Sequence, residues 1–235
     1  MFFDILTLFP AMFEGVFGDS IIRRALDGGK ISLTLDNIRD YAQSRHNTVD
    51  DYPYGGDAGM LLKPEPLARA ITAARKRHEN HNPVVLLMSP QGEKLDHARC
   101  VELGKESGLI LVCGRYKGVD QRIIDHYIDR EISIGDYVLS GGEIAAMVVV
   151  ETITRLIPGV LGDRESAERD SFYNGLLSPP HYTRPEEFEG VRVPEVLLSG
   201  HHAHIAAWQH EQALAKTALL RPDLYQAWKE QKHNL

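Results

Sequence analysis

The sequence predicts an α/β protein with a mostly parallel sheet and a small helical C-terminal domain, and three observations carry that expectation. Val84–Met88 and Leu109–Cys113 are uninterrupted apolar runs of strand length, as strands covered on both faces of a parallel sheet require. Leu95 to Gly104 between them fits a helix, which completes a β-α-β unit. Each run stops at a loop of turn residues, Ser89-Pro90-Gln91-Gly92 after the first and Gly114-Arg115-Tyr116-Lys117-Gly118 after the second. In open α/β sheets, ligands sit in the loops beyond the carboxyl ends of the strands.

Phe2 to Phe9 is an apolar run broken by Asp4 and Thr7 and reads as the first strand. Pro10 then offers the first helical position for Ala11 to Phe17. Asp19 or Ser20 caps a second helix over Ile21 to Leu26, Gly28-Gly29 ends it, and Ile31 to Leu35 alternates as a half-buried strand does. Pro64, or Pro66 after Glu65, starts a helix running to Arg75, which covers one face of the sheet. The runs Val84–Met88 and Leu109–Cys113 are expected to end where Ser89-Pro90 and Gly114 stand. Glu143 to Ile157 is rich in Val and Ile, as a strand would be, but its length and its stop before Pro158 favour a helix. Being apolar almost all round, that helix belongs in the core or in a subunit interface. Farther on, Pro179 to Pro185 and Val193 to Val196 read as extended, and helices are expected at about His202 to Leu219 and Pro222 to Lys232. The domains expected are residues 1–160, a linker over 161–175 with no apolar period, and residues 176–235.

With 235 residues of which 43% are hydrophobic, the chain can bury a substantial core. No apolar run approaches the ~18 residues of a membrane span, and Met1-Phe2-Phe3-Asp4 lacks a basic region, so a cytoplasmic location is expected. Cys100 and Cys113 show no paired-ligand spacing and read as inert thiols. A net charge of −7 argues against sequence-blind nucleic-acid binding by a broadly basic surface. It leaves room for a local basic groove, with Arg23-Arg24, the stretch from Arg39 to His46, and Arg75-Lys76-Arg77 as candidates. His201, His202, His204 and His210 lack the spacing and companions of a metal site and read as solvent-facing or capping residues.

Two further stretches bear on function. From Tyr41 to Met60 periodicity disappears, and Arg45, His46, Tyr52, Tyr54, Gly55, Gly56 and Gly59 accumulate. Such a loop suits stacking on bases and binding of phosphates, although Tyr-Pro-Tyr-Gly-Gly is also good turn chemistry. The stretch Ser133-Ile134-Gly135-Asp136-Tyr137-Val138-Leu139-Ser140-Gly141-Gly142-Glu143 is either a strand between two tight turns or a backbone cradle for a ligand. Glycines without Cβ atoms would let a small molecule approach the main chain there.

Taken together, Asp50 to Gly56, Leu87 to Gly92, Val112 to Asp120, Ser133 to Glu143, Ile157 to Gly162 and Pro180 to Pro185 resemble a known family in the family's own order. The chain is similar to the bacterial tRNA (guanine-N1)-methyltransferases that modify guanine 37 beside the anticodon, within the SPOUT superfamily. The resemblance implies a deep trefoil knot in the first domain, which holds S-adenosylmethionine in a bent shape, and a tRNA-binding C-terminal domain. It implies a cofactor pocket of Leu87, Ser89, Pro90, Gly114, Tyr116, Ile134, Gly135, Asp136, Tyr137, Val138, Leu139, Gly141 and Gly142. The absence of a Gly-x-Gly-x-x-Gly turn after a strand fits this better than an ordinary Rossmann enzyme. Guanine N1 carries a proton that must leave as the methyl bond forms, while charge builds toward O6. By the resemblance, Asp170 matches the family's proposed general base and Arg155 its partner, which stabilises negative charge or positions the base, with Ser171 as a helper. Where the family usually has an acid, this chain has Lys117. The resemblance further implies a homodimer with composite active sites and an association with Mg²⁺, for which no acidic cluster identifies a site. The alternatives are a SPOUT RNA methyltransferase with another target and a noncatalytic RNA-binding relative.

Overall fold

The computed structural model describes residues 1–162 and 168–233. They fall into two compact units, Met1–Gly162 and Asp163–Leu235. Residues 163–167, part of the segment read as a linker, lie outside the described residues.

The first unit is organised by a five-stranded sheet of order β2-β1-β6-β5-β7, every pairing parallel. Its strands are β1 (Phe2–Thr7), β2 (Ser32–Asn37), β5 (Val84–Lys94), β6 (Gly108–Cys113) and β7 (Arg130–Ser133). The short β3 (Asp50–Asp51), within the Tyr41 to Met60 loop, pairs antiparallel with β4 (Leu61–Leu62), which follows the loop. Between the strands run α1 (Glu14–Phe17), α2 (Ser20–Asp27), α3 (Pro64–Arg77), α4 (His97–Leu103), α5 (Gln121–Tyr127) and α6 (Glu143–Leu156), with 3-10 turns at Pro10–Phe13 and Ile38–Tyr41.

Alternation along the buried strands feeds two cores, one on each face of the sheet. Leu86 and Met88 of β5, with Leu109 and Leu111 of β6, pack on the face covered by α2, α4 and α6. Val85 and Leu87, with Ile110 and Val112, pack on the opposite face against Leu67 and Ile71 of α3 and Ile123 of α5. This double coverage is why β5 begins and β6 continues as unbroken apolar runs. The connection after β5 returns inward through α4, and the connection after β6 passes outward over β5 through α5. A crevice at the carboxyl ends of β5 and β6 is the consequence of that reversal.

Several local expectations hold for visible reasons. Asp19 caps α2, its carboxylate accepting from the Ser20 N–H, and Gly28 closes the helix. Asp96 caps α4 by accepting from the Arg99 N–H. Helix α6 ends at Leu156 ahead of Pro158. Its Ala145, Ala146, Val149, Val150 and Ile153 are buried, whereas Ile144 and Val148 remain exposed.

Others are corrected. Strand β5 does not stop at Ser89-Pro90: its register with β7 shifts between Met88 and Glu93 and pairing resumes through Lys94. Pro90 has no N–H to give a ladder, so it is accommodated in the irregular stretch where none is needed. Gly92 then returns flush against the Glu131 and Ile132 backbone, leaving no room for a Cβ. The stretch from Ser133 is not a strand between turns either. Strand β7 ends at Ser133, and residues 134–142 are irregular. The sequence reading lacks α5 and β7 altogether. Of the groove candidates, Arg75 pairs with Asp129, and Arg77 pairs with Asp36 (2.8 Å) and with the buried Asp4 (2.6 Å), so both guanidinium groups already have carboxylate partners.

The second unit is small and mainly helical. A hairpin of β8 (Glu187–Phe188) and β9 (Val191–Arg192) precedes α7 (Glu195–Leu198), α8 (His202–Leu220) and α9 (Pro222–His233). Glu195 and Val196, read as extended, open α7 directly after Pro194, whose fixed φ suits the entry to a helix. The segment before the hairpin is fastened to α8: the Leu177 N–H donates to Thr217 Oγ1 (2.9 Å) and Lys216 Nζ donates to the Ser178 carbonyl (3.1 Å).

Candidate active site

A cleft of about 280 Å³ lies beyond the carboxyl ends of β5, β6 and β7. Three loops wall it, and glycines set how closely they approach. Gly142 sits where they converge: its N–H donates to the Gly114 carbonyl at 2.9 Å, and a Cβ there would lie 2.8 Å from both Cys113 Cα and Met88 Cβ. Gly141 forms a β-bridge with Arg115. Gly135 adopts φ +149°, which favours glycine, and its carbonyl accepts from the Tyr137 N–H (2.9 Å). Tyr116 holds a positive φ of 61° without being glycine, backbone strain of the kind that gathers at ligand sites. Tyr116, Tyr137 and Val138 are exposed at the cleft, apolar surface with which a flat ring can be covered.

The cofactor residues implied by resemblance are brought together here. Leu87, Ser89 and Pro90 come from β5, Gly114 and Tyr116 from the loop after β6, and Ile134, Gly135, Tyr137, Val138, Leu139, Gly141 and Gly142 from the loop after β7; all line the cleft. Asp136 is exposed and lies outside the lining. Arg155 occupies the last turn of α6 in the first unit. Asp170 and Ser171 belong to the second unit, in a turn where the Ser171 hydroxyl lies 3.0 Å from that of Ser178 and accepts from the Ser178 N–H (2.9 Å).

One functional feature was missed in the sequence. Glu143, the first residue of α6, is 1% exposed; it accepts from the Thr7 hydroxyl (2.9 Å) and from Arg115 Nη1 (3.3 Å). It thereby ties the end of β1 to the loop after β6, and its charge sits favourably at a helix N-terminus. The Arg115 guanidinium also lies 4.4 Å from the Phe9 ring centroid. An acid directly after two glycines at the head of an apolar helix was the available signal. Burial, and secondarily the Glu143 carboxylate, push the Cys113 thiol well above its ordinary range. Cys113 is therefore a protonated core residue, unsuited to act as a nucleophile. Among the described residues, no group of His, Cys, Asp or Glu is disposed to hold a metal ion, and no helix is long and apolar enough to cross a membrane.

The fold is that of an α/β protein with a parallel sheet, and its glycine-walled cleft lies at the strand ends, where proteins of this class hold their ligands. The chain belongs to the family described as tRNA (Guanine-1)-methyltransferase TrmD, whose model matches residues 1–227. It is 51% identical over 225 residues to a tRNA (guanine-N(1)-)-methyltransferase of Anoxybacillus flavithermus, covering 96% of this chain and 91% of that one. Proteins of the same name from Citrifermentans bemidjiense and Geotalea uraniireducens are each 54% identical over 224 residues. In both, 95% of this chain is covered, with 89% and 90% of the respective relative.

Proposed function

We propose that this chain transfers a methyl group from S-adenosylmethionine to N1 of guanine 37 in tRNA. The observation that carries the reading is the cleft at Gly142, where three strand-end loops meet too closely for any side chain, in a chain of the tRNA (Guanine-1)-methyltransferase TrmD family. The residues fit the cofactor. Backbone groups of the 134–142 loop and of Gly114 can pair with the edge of an adenine, and Leu87, Val138 and Leu139 supply apolar contact for its faces. When bound, S-adenosylmethionine supplies a methyl group on a positively charged sulfur, ready for nucleophilic attack.

The chain's own residues supply the rest. Asp170 accepts the proton of guanine N1, which leaves the ring electron pair free to form the N–C bond. Arg155 stabilises the negative charge that builds at O6. Glu143 fixes Arg115 and, with it, the spacing of the cleft walls. No step is assigned to Mg²⁺, because no described cluster fits it.

This reading extends to the assembly. The chain works in the cytoplasm as a homodimer in which the cleft of one protomer is completed by the second unit of its partner; the exposed Ile144 and Val148, one turn apart on α6, support an apolar contact there. The first unit carries the cofactor, and the second docks the tRNA. The loops after β5, β6 and β7 form a trefoil knot, in keeping with their convergence at Gly142. The test is incubation of the full chain with methyl-labelled S-adenosylmethionine and tRNA transcripts bearing guanine or adenine at position 37, followed by nucleoside analysis. N1-methylguanosine from the guanine transcript alone is expected. Label on a ribose or on another base would overturn the reading.

A further inference from the structure

Lys117 is a cation on the wall of a cleft read as the site of a positively charged cofactor, and its surroundings are built. It sits at the tip of a tight turn closed by the Gly118 N–H donating to the Arg115 carbonyl (3.0 Å), with Tyr116 at positive φ beside it. The turn is pinned to the Tyr41 to Met60 loop and β4: the Lys117 N–H donates to the Met60 carbonyl and the Leu62 N–H to the Gly118 carbonyl, both at 3.1 Å. The lysine stem lies flat on Gly59. A Cβ on that glycine, whose φ is +104°, would come 3.2 Å from Lys117 Cγ and 3.5 Å from Cε. Asp57, in the same loop, has a carboxylate oxygen 3.8 Å from Lys117 Nζ. Lys117 lines the cleft, and its stem's freedom is already restricted by Gly59, which lowers the entropy lost when its ammonium binds an anion.

S-adenosylmethionine bears two charges at its amino-acid end besides the sulfonium, an ammonium and a carboxylate. Of these, only the carboxylate is matched by a lysine. We propose that Lys117 is a specificity-determining residue that takes this carboxylate in a charge-assisted hydrogen bond, with Asp57 as the positioning residue that holds the lysine in place. This inference rests on the reading of the cleft as the S-adenosylmethionine site.

Titration calorimetry on the full chain separates the possibilities with three probes. S-adenosylmethionine has the sulfonium and the amino-acid end, S-adenosylhomocysteine keeps the amino-acid end on a neutral sulfur, and 5′-methylthioadenosine lacks the amino-acid end. Lys117→Met keeps the stem and removes the charge. It is expected to weaken the first two ligands alike, by about tenfold, and to leave methylthioadenosine unchanged. Asp57→Asn should move the same two ligands in the same direction by about two- to threefold, the size of a solvent-exposed ion pair. Equal loss for all three probes would make Lys117 merely structural, and tighter S-adenosylmethionine relative to S-adenosylhomocysteine would make it a repulsive element. Either result, or unchanged affinities in Lys117→Met, overturns the assignment while leaving the cofactor reading intact. Failure of the unaltered chain to bind any probe overturns both.

Discussion

Gly142→Ala adds one methyl group at the point where the cleft walls converge. Gly142 has φ −79° and ψ −5°, a conformation open to alanine, so backbone strain does not enter. The clash is purely steric. The new Cβ would lie 2.8 Å from Cys113 Cα at the end of β6 and from Met88 Cβ in β5, and 3.1 Å from Gly114 N in the loop after β6. Carbon atoms rest at about 3.5 Å or more, so the loop after β7 has to retreat by roughly 0.7 Å. Overpacking of this kind costs about 1–3 kcal/mol of folding stability. It also strains the Gly142 to Gly114 hydrogen bond and displaces the backbone groups facing the ligand, each worth about 1 kcal/mol. Affinity for S-adenosylmethionine should therefore fall about 10- to 100-fold, by roughly 1.4 kcal/mol per decade. Gly15→Ala in α1 is the control, because nothing lies within 4 Å of its Cβ position. Calorimetric titration and thermal melting of both variants read the two effects. Wild-type affinity in Gly142→Ala would refute the closeness of the walls as the basis of binding.

Three other perturbations test the remaining roles. Asp170→Asn should lower single-turnover methyl transfer at least about 100-fold while leaving S-adenosylmethionine affinity within twofold; turnover near the wild-type rate would remove Asp170 from proton transfer. Arg155→Ala should lower kcat by about 100-fold, and a change confined to tRNA affinity would make it a binding residue instead. Cys113, with its thiol pushed up by burial, should resist a thiol-directed disulfide reagent at neutral pH and react only after denaturation; rapid labelling of the native chain would contradict its burial.

What could be read in the sequence follows from where physical chemistry leaves a local mark. Val84 to Met88 and Leu109 to Cys113 announced themselves because both their faces are buried. Strand β7 left a weaker mark: Arg130-Glu131-Ile132-Ser133 is a short edge strand of mixed polarity. The continuation of β5 was concealed by Pro90, since a proline marks an end in most strands and a tolerated irregularity in few. In the site, the glycines of the three loops were conspicuous, but Glu143 was not. Its burial depends on Thr7, 136 residues earlier, and no local pattern encodes a partner at that distance. Asp170 carries no local sign of chemistry at all, because a carboxylate in a charged stretch looks like any solvated residue; family resemblance alone singled it out.

The detour in β5 has a mechanical side. Residues 89–92 leave the sheet after Met88 and rejoin it by Glu93, so this part of the cleft wall hangs from the same sheet at both ends. A free loop of that length would sample many shapes and surrender them on contact with a ligand. Here the anchoring is done when the chain folds, and the arriving molecule meets a surface that has little left to organise. Departure of the spent ligand, correspondingly, does not require this wall to unfold.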